Sequence, residues 1–162
     1  MNPPWSSNPA DRWFSPSPRL LTMRRVEIAV GTLVVGLAVL APVLSAGGPI
    51  PIIVYAGLAL ACAGGEVVAG RRYRSWGYCE RSLDLLVRRG VLIRRLTVVP
   101  YGRMQLVDVT AGAAERAFGL ATIKLHTAAS STDARIPGLR PDEATRLRDQ
   151  LAALGEAQAA GV

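Results

Sequence analysis

The sequence predicts a two-helix transmembrane hairpin followed by a small, mainly β cytoplasmic domain of the α+β type, which is capped by a C-terminal helix. Three observations lead to this fold class. An uncharged run of 38 residues extends from Ile28 to Gly65 in a chain of 162 residues. Short alternating segments rich in β-branched residues follow it, and one amphipathic segment closes the chain. This partition excludes a plain soluble globule, a disordered basic protein and a transporter with many spans.

The uncharged run is long enough for two membrane crossings. As one helix it would be roughly 57 Å long, whereas the hydrocarbon core is about 30 Å thick. Two glycines and two prolines at 45–51 favour a turn in its middle. We therefore predict a hairpin over 26–70, with spans at about 26–46 and 50–70, after a Pro- and Ser-rich leader (1–25) that we expect to be disordered. A cleavable signal peptide is the alternative for the first span, and the long polar leader disfavours it.

Arginines flank both predicted spans, whereas the turn between them has no charge. By the positive-inside tendency, we expect a multi-pass membrane protein with both termini in the cytoplasm and the turn outside. The flanking arginines are Arg12, Arg19, Arg24, Arg25, Arg71, Arg72 and Arg74.

Two acidic residues lie at the ends of the spans. Glu27 is expected to pair with Arg24, which lies three residues earlier on the same helix. For Glu66 two interpretations stay open. Its side chain either extends to the interface near Arg71 or Arg72, or it marks a functional ionisable or pairing site.

Residues 71–155 have the pattern of a small antiparallel β domain. We predict strands at Tyr73–Glu80, Leu83–Arg89, Val91–Tyr101, Met104–Thr110 and Ala121–Ala128. Between the second and third strands, Arg88-Arg89-Gly90-Val91 predicts a tight hairpin turn, because glycine adopts positive φ.

The C-terminal helix is predicted at 141–154. Pro141 and two acidic residues suit a first helical turn, and Ala144, Leu147, Leu151 and Leu154 form one apolar stripe. Gly155 is predicted to end the helix, and a flexible tail is expected at 156–162.

The order of these segments resembles that of bacterial pleckstrin-homology-like (bacterial PH) domains that directly follow a two-span membrane hairpin. The motifs that carry the resemblance are Arg89-Gly90-Val91-Leu92, Val99-Pro100-Tyr101-Gly102-Arg103-Met104-Gln105, Glu115-Arg116-Ala117-Phe118-Gly119-Leu120-Ala121, Leu125-His126-Thr127-Ala128 and Ile136-Pro137-Gly138-Leu139. The resemblance covers roughly residues 26–154. It implies a PH-like fold, in which two antiparallel sheets form a partly open barrel closed at one end by the C-terminal helix.

The resemblance supplies no catalytic residues, and bacterial relatives look like scaffold or interaction modules at the membrane. Several motif residues are expected to have structural roles. These are Gly90, Pro100, Arg103, Gln105, Arg116, Phe118 and Gly119. Ligand binding is the alternative for the two arginines and the glutamine among them.

No catalytic, metal or cofactor site is apparent in the sequence. Cys62 and Cys79 lie in different parts of the predicted fold, and a single histidine is too few for a His-rich metal site. His126 with Ser130, Ser131 and Asp133 lacks the separated orienting groups of a hydrolase triad. We therefore expect a non-enzymatic protein without a cofactor. Nucleic-acid binding is not expected either, because surface aromatic platforms are missing.

The sharpest candidate for a binding site is the basic hairpin around Gly90. Its arginines flank the apolar tip Val91-Leu92-Ile93, and near an anionic leaflet each charge contributes about 1 kcal/mol. A solvated hairpin in an arginine-rich protein explains the same pattern. The candidate lipid- or partner-binding residues are Arg88, Arg89, Arg94, Arg95, Lys124 and His126.

With the bacterial origin that the resemblance implies, our leading hypothesis is a non-enzymatic, multi-pass protein of the bacterial inner membrane. It would be a scaffold or protein-interaction module on the cytoplasmic face, acting in envelope homeostasis through a protein partner. The alternative is a sensor or binder of anionic phospholipid headgroups that uses the basic hairpin. Self-association through small residues of the spans is a third possibility, although these are expected first to pack the spans together. The small residues are Gly31, Gly36, Ala38, Gly57, Ala61 and Gly65.

Overall fold

The computed structural model describes residues 12–46, 48–127 and 134–160, and the fold is given for these. The N-terminal part contains β1 (Trp13–Phe14), α1 (Arg19–Ala38), α2 (Leu40–Ala46) and α3 (Ile50–Ser75). The β domain continues with β2 (Gly77–Glu80), β3 (Asp84–Arg89), β4 (Arg95–Pro100), a 3₁₀ turn (Tyr101–Arg103), β5 (Met104–Thr110), α4 (Ala113–Ala117), β6 (Ala121–Thr127), β7 (Ala134–Leu139) and α5 (Pro141–Ala160).

α1 and α3 form an antiparallel pair that packs closely at two glycines. A Cβ atom at Gly36 would lie 3.3 Å from the Leu58 side chain, and one at Gly65 would lie 3.4 Å from Ile28. These two positions therefore pack one helix against the other, as small residues do in membrane helix pairs. Gly31, in contrast, meets nothing within 4 Å.

Among the described helices, α3 is the one that is both long and apolar enough to cross a membrane. The second predicted span, 50–70, lies within it. The first predicted span, 26–46, is not one continuous helix, because α1 and α2 divide it.

Pro42 explains this division. It has no N–H group to donate to the carbonyl of Ala38, and its ring crowds that carbonyl. The helical path still continues across the break, since the Val39 N–H donates to the Val35 carbonyl at 3.1 Å and the Val43 N–H donates to the Val39 carbonyl at 3.0 Å. The predicted first span, in contrast, had no break within it.

The β domain consists of two antiparallel sheets, with strand orders β1-β2-β3-β4 and β5-β6-β7. The sheets and α5 enclose one core, which agrees with the predicted PH-like architecture. On α5, the predicted stripe supplies Ala144, Leu147 and Leu151, all fully buried. The main core residues from the strands and turns are Tyr78, Leu85, Val87, Val99, Tyr101, Ile123, Leu125, Ile136 and Leu139.

The residues just before α1 are ordered, so the prediction of a disordered leader is wrong for its described part. Trp13–Phe14 pairs with β2 as an extra strand, and the Phe14 ring stacks on Tyr78 with the ring centroids 5.4 Å apart. The Ser17 N–H then donates to the Gly138 carbonyl at 2.8 Å. Residues 1–11 of the predicted leader lie outside the described residues.

Strand boundaries in the first sheet differ from the prediction, most of all at the starts of β2 and β4. α3 continues to Ser75, so Tyr73 is helical and β2 begins only at Gly77. The β3–β4 connection is a five-residue loop, Gly90–Arg94, rather than a tight turn, and β4 begins at Arg95.

Gly155 does not end the C-terminal helix, which continues to Ala160. A Cβ atom at this position would lie 3.5 Å from the carbonyl oxygen of Tyr101. The glycine therefore lies where α5 approaches the 3₁₀ turn closely. The predicted flexible tail is helical over its described part, and residues 161–162 lie outside the described residues.

Two buried tyrosines, Tyr78 of β2 and Tyr101 of the 3₁₀ turn, donate hydrogen bonds to other parts of the domain. The Tyr78 hydroxyl donates to Glu143 Oε1 at 2.8 Å, and the Tyr101 hydroxyl donates to the Arg81 carbonyl at 2.9 Å. Burial is the main cause that raises the pKa of both phenols, and the Glu143 carboxylate raises the pKa of Tyr78 further. The pKa of Tyr101 rises to about 12.

Raising the pH above about 10 is therefore expected to destabilise the domain. In the unfolded chain these phenols ionise near pH 10, whereas in the fold they stay protonated, so their stabilising contribution is complete below pH 10 and is lost as the pH rises through the folded pKa. The thermal unfolding midpoint of the detergent-solubilised chain, followed by circular dichroism, should fall over this interval. Tyr101→Phe should show a smaller fall, and an equal fall would contradict the assignment.

Candidate functional site

Strand register places the β3–β4 loop at the end of the domain where α3 joins β2. α3 ends at Ser75, and β2 begins at Gly77, which pairs with Arg88 near the end of β3. Arg89 and the loop Gly90–Arg94 therefore extend beyond the start of β2, toward α3. The loop and the candidate membrane helix meet at the same end of the domain.

The tip of this loop exposes large apolar side chains. Leu92 is 97% exposed and Ile93 is 80% exposed, although both are aliphatic. Gly90 shapes the loop with φ of +108°, and a Cβ atom there would collide with the carbonyl oxygen of Ile93. The loop tip therefore presents two neighbouring aliphatic side chains to its surroundings and contributes neither to the core.

The four arginines of the predicted basic hairpin do not form one group. Arg88 lies over the Trp13 ring, with its guanidinium carbon 5.0 Å from the ring centroid, so it contacts the leader strand. Arg89 and Arg95 line a cleft of about 340 Å³ together with Arg72 of α3. Arg94 is exposed on the loop itself.

Lys124 and His126 lie on β6 in the other sheet, and neither lines the cleft at the loop. Lys124 is opposite Asp108 in the register, and His126 Nε2 lies 3.8 Å from Asp108 Oδ2. The structure therefore does not join these two residues to the basic hairpin. Ser130, Ser131 and Asp133, considered with His126 for a triad, lie outside the described residues.

The residues expected to have structural roles lie mostly at element ends. Pro100 ends β4, Arg103 ends the 3₁₀ turn and is exposed, and Gln105 is exposed on β5. Arg116 is exposed on α4, and Gly119, two residues after the end of this helix, takes a positive φ of 62°.

Phe118 packs in a second apolar cluster rather than in the main core. Its partners include Leu20 and Met23 of α1 together with Leu120 and Tyr73. The first turns of α1 are thereby held against the β domain.

Sequence reasoning missed the role of Glu115. Its Oε2 accepts a hydrogen bond from the Gly112 N–H at 2.9 Å, and its Oε1 accepts one from the Thr122 hydroxyl at 2.6 Å. The carboxylate thus ties the start of α4 to β6. A glutamate at the third position of a short helix was the available signal, since this is where a capping carboxylate lies.

Ion pairs lie at the ends of α1 and α3 that are next to the β domain. Arg24 Nη1 lies 2.7 Å from Glu27 Oε2, which confirms the predicted i,i+3 pair. Glu66 Oε2 lies 3.0 Å from Arg25 Nε, so Glu66 pairs across to α1 rather than with the arginines that follow it on α3. This pair links the two helices where the arginines of both lie.

Among the residues that the structure describes, no group of three or more His, Cys, Asp or Glu side chains could hold a metal ion. Cys62 is a half-buried free thiol, and Cys79 is buried.

Comparison with known proteins identifies the domain. The model of the bacterial PH domain family matches residues 21–155. A segment of 83 residues is 35% identical to the UPF0699 transmembrane protein YdbS of Bacillus subtilis, and it covers 51% of this chain and 51% of that relative. The match thus spans about half the length of the relative. No solved structure matches the chain. The predicted family is confirmed, and the relative, which is named a transmembrane protein, agrees with membrane association.

Removing the carboxylate of Glu66 should loosen the helix pair. Glu66→Gln is expected to lower the free energy of unfolding by about 0.2–1 kcal/mol, because Arg25 loses its partner on the other helix. The measurement is the thermal midpoint in detergent. The charge-swapped double variant Arg25→Glu/Glu66→Arg should recover most of the loss. Glu27→Gln, which breaks a pair within one helix, is the control and should cost less. An unchanged midpoint for Glu66→Gln would show that the pair adds nothing.

Proposed function

The chain belongs to the bacterial PH domain family, and we propose that it is a non-enzymatic inner-membrane protein whose domain holds its β3–β4 loop against the anionic cytoplasmic leaflet. One observation carries this proposal. Leu92 and Ile93 are exposed at the tip of a loop that shares a cleft with Arg72, in the last turns of the helix that is suited to cross the membrane. An apolar tip flanked by arginines fits the boundary between acyl chains and anionic headgroups.

Two kinds of contact would hold the loop at the bilayer. Burying Leu92 or Ile93 contributes about 1.5–3 kcal/mol each, and each arginine near an anionic leaflet contributes about 1 kcal/mol. The apolar contribution persists in salt, whereas the charge contribution falls off within a Debye length. Since α3 already keeps the domain at the membrane, the loop would orient the domain rather than recruit it.

A two-span topology with both termini in the cytoplasm completes the proposal. The antiparallel pairing of α1 with α3 brings Arg25 beside Glu66, so the arginines that flank both helices lie at one end of the pair. The turn near Gly48 carries no charge, which suits the side away from the cytoplasm. The stretch 26–46 would be roughly 31 Å long if helical throughout, enough for one crossing despite its break.

A scaffold that binds a protein partner, in envelope homeostasis, is the second candidate function. It is favoured by exposed aliphatic residues on edge strands. Val98 on β4 and Leu106 on β5 are both exposed, and each strand ends the order of its sheet. An edge strand has unpaired backbone groups to which another chain can add a strand.

Replacing the apolar tip tests the lipid contact. In nanodiscs that contain phosphatidylglycerol, the amides of the loop Gly90–Arg94 should exchange hydrogen more slowly than in nanodiscs of phosphatidylcholine alone. The double variant Leu92→Ser/Ile93→Ser should lose this protection. Leu83→Ser, which replaces an exposed leucine at the other end of β3, is the matched control and should keep it. Equal exchange in both lipids for the unmodified chain would refute the proposal.

The protein-partner function makes a separate prediction. If a partner adds to the sheet edges, a protein that co-purifies in stoichiometric amount should be lost in Val98→Glu/Leu106→Glu, because buried charges oppose strand addition. The measurement is co-purification from detergent followed by mass spectrometry. The loop variant Leu92→Ser/Ile93→Ser should retain the partner. Retention by the edge variant as well would exclude these edges as the binding surface.

A further inference from the structure

A second cleft lies between the helix pair and the β domain. It has a volume of about 420 Å³, within the range typical of ligand pockets. α1 contributes Leu20, Arg24 and Ile28, and the last turns of α3 contribute residues that include Val68 and Arg72. The domain closes it with Arg89 at the end of β3 and with Arg135 and Pro137 of β7.

The cleft divides by chemistry into an apolar part and a basic part. Ile28 and Val68 lie on the helices toward their uncharged segments, so the apolar part continues into the surface that faces lipid. The basic part holds four arginines against one acidic residue, Glu27. Such a division matches an amphiphile, whose anionic group and hydrocarbon chains are joined at one end.

Three of the four arginines have no partner within the described part of the chain. Arg24 already pairs with Glu27 at 2.7 Å. No hydrogen bond or ion pair of the guanidinium groups of Arg72, Arg89 and Arg135 is present among the described residues. Like charges that line one cleft repel one another, and an anion bound between them removes this cost. The guanidinium group also suits phosphate, because its donors form a planar fork.

We propose that this cleft binds one molecule of an anionic glycerophospholipid. The phosphate lies among the guanidinium groups of Arg72, Arg89 and Arg135, and the acyl chains extend along Ile28 and Val68 of the helix pair. The occupant is a lipid rather than free phosphate, because the apolar half of the cleft would otherwise stay unused. This inference rests on the proposed membrane placement of the helices, but not on the contact of the β3–β4 loop with the leaflet.

The test uses the full chain in detergent, first depleted of lipid by extensive washing. Phosphatidylglycerol, phosphatidylcholine and inorganic phosphate are then added separately, and the thermal unfolding midpoint and the bound lipid in native mass spectrometry are recorded. We expect phosphatidylglycerol to raise the midpoint and to bind one molecule per chain, and the other two probes to have little effect. Because ligands that bind the folded state stabilise it, the shift should grow with lipid concentration.

Matched variants locate the site. Arg135→Gln and Arg72→Gln should each weaken binding of phosphatidylglycerol about tenfold, the usual effect of losing a charged hydrogen-bond donor. Arg103→Gln removes the same charge at the opposite end of the first sheet and should leave binding unchanged. Arg135 is exposed, so its replacement is not expected to unfold the domain.

The outcomes separate this inference from the proposed function. A midpoint shift with inorganic phosphate equal to that with phosphatidylglycerol would overturn the lipid assignment. Binding that Arg135→Gln and Arg72→Gln leave intact, or no binding at all, would overturn the site. Leu92→Ser/Ile93→Ser should keep the bound lipid even though it loses loop protection. The hydrogen exchange of the loop amides therefore tests the proposed contact of the loop with the leaflet. The amount of bound lipid tests the proposed site in the cleft.

Discussion

The direct junction between α3 and β2 is the constraint on which the rest of the structure depends. Only Trp76 lies between the helix end at Ser75 and the strand start at Gly77, so no linker lets the domain turn away from the helix. The leader strand closes the same junction from the other side, since β1 pairs with β2 and the Tyr73 hydroxyl donates to the Pro16 carbonyl at 2.9 Å. The β3–β4 loop is therefore held beside the last turns of α3.

Much of the β domain could be predicted because most of its strands carry their own local signal. β5 has the predicted bounds, since its alternation is visible without any partner. β1 could not be predicted, because two residues have no period and their partner strand follows the helical hairpin. β7 was not predicted either, because it contains Pro137 and Gly138, which are typical of loops. Here Gly138 takes a positive φ of 74° where the Leu20 side chain packs against it.

The candidate site was predictable in composition but not in arrangement. The arginines around Gly90 were visible as a basic group, yet Arg88 stacks on Trp13 of a leader strand that no pattern indicated. Arg72 was assigned to membrane topology alone, although it shares a cleft with Arg89. Both contacts arise where helix, leader and sheet meet, so they depend on the tertiary junction and not on spacing along the chain.

Arg72 and Arg89 line both clefts, the one beside the loop and the one between the helices and the domain. A guanidinium group drawn toward a phosphate in one cleft is less available to the other, because its reach is limited and its charge is shared. The proposed lipid in the helix cleft and the proposed contact of the loop with the leaflet would therefore draw on the same two side chains. Such coupling is reciprocal, so each event changes the free energy of the other. With α3 in the membrane as proposed, the two shared arginines would give the lipid composition around α3 a physical route to change the position of the exposed loop.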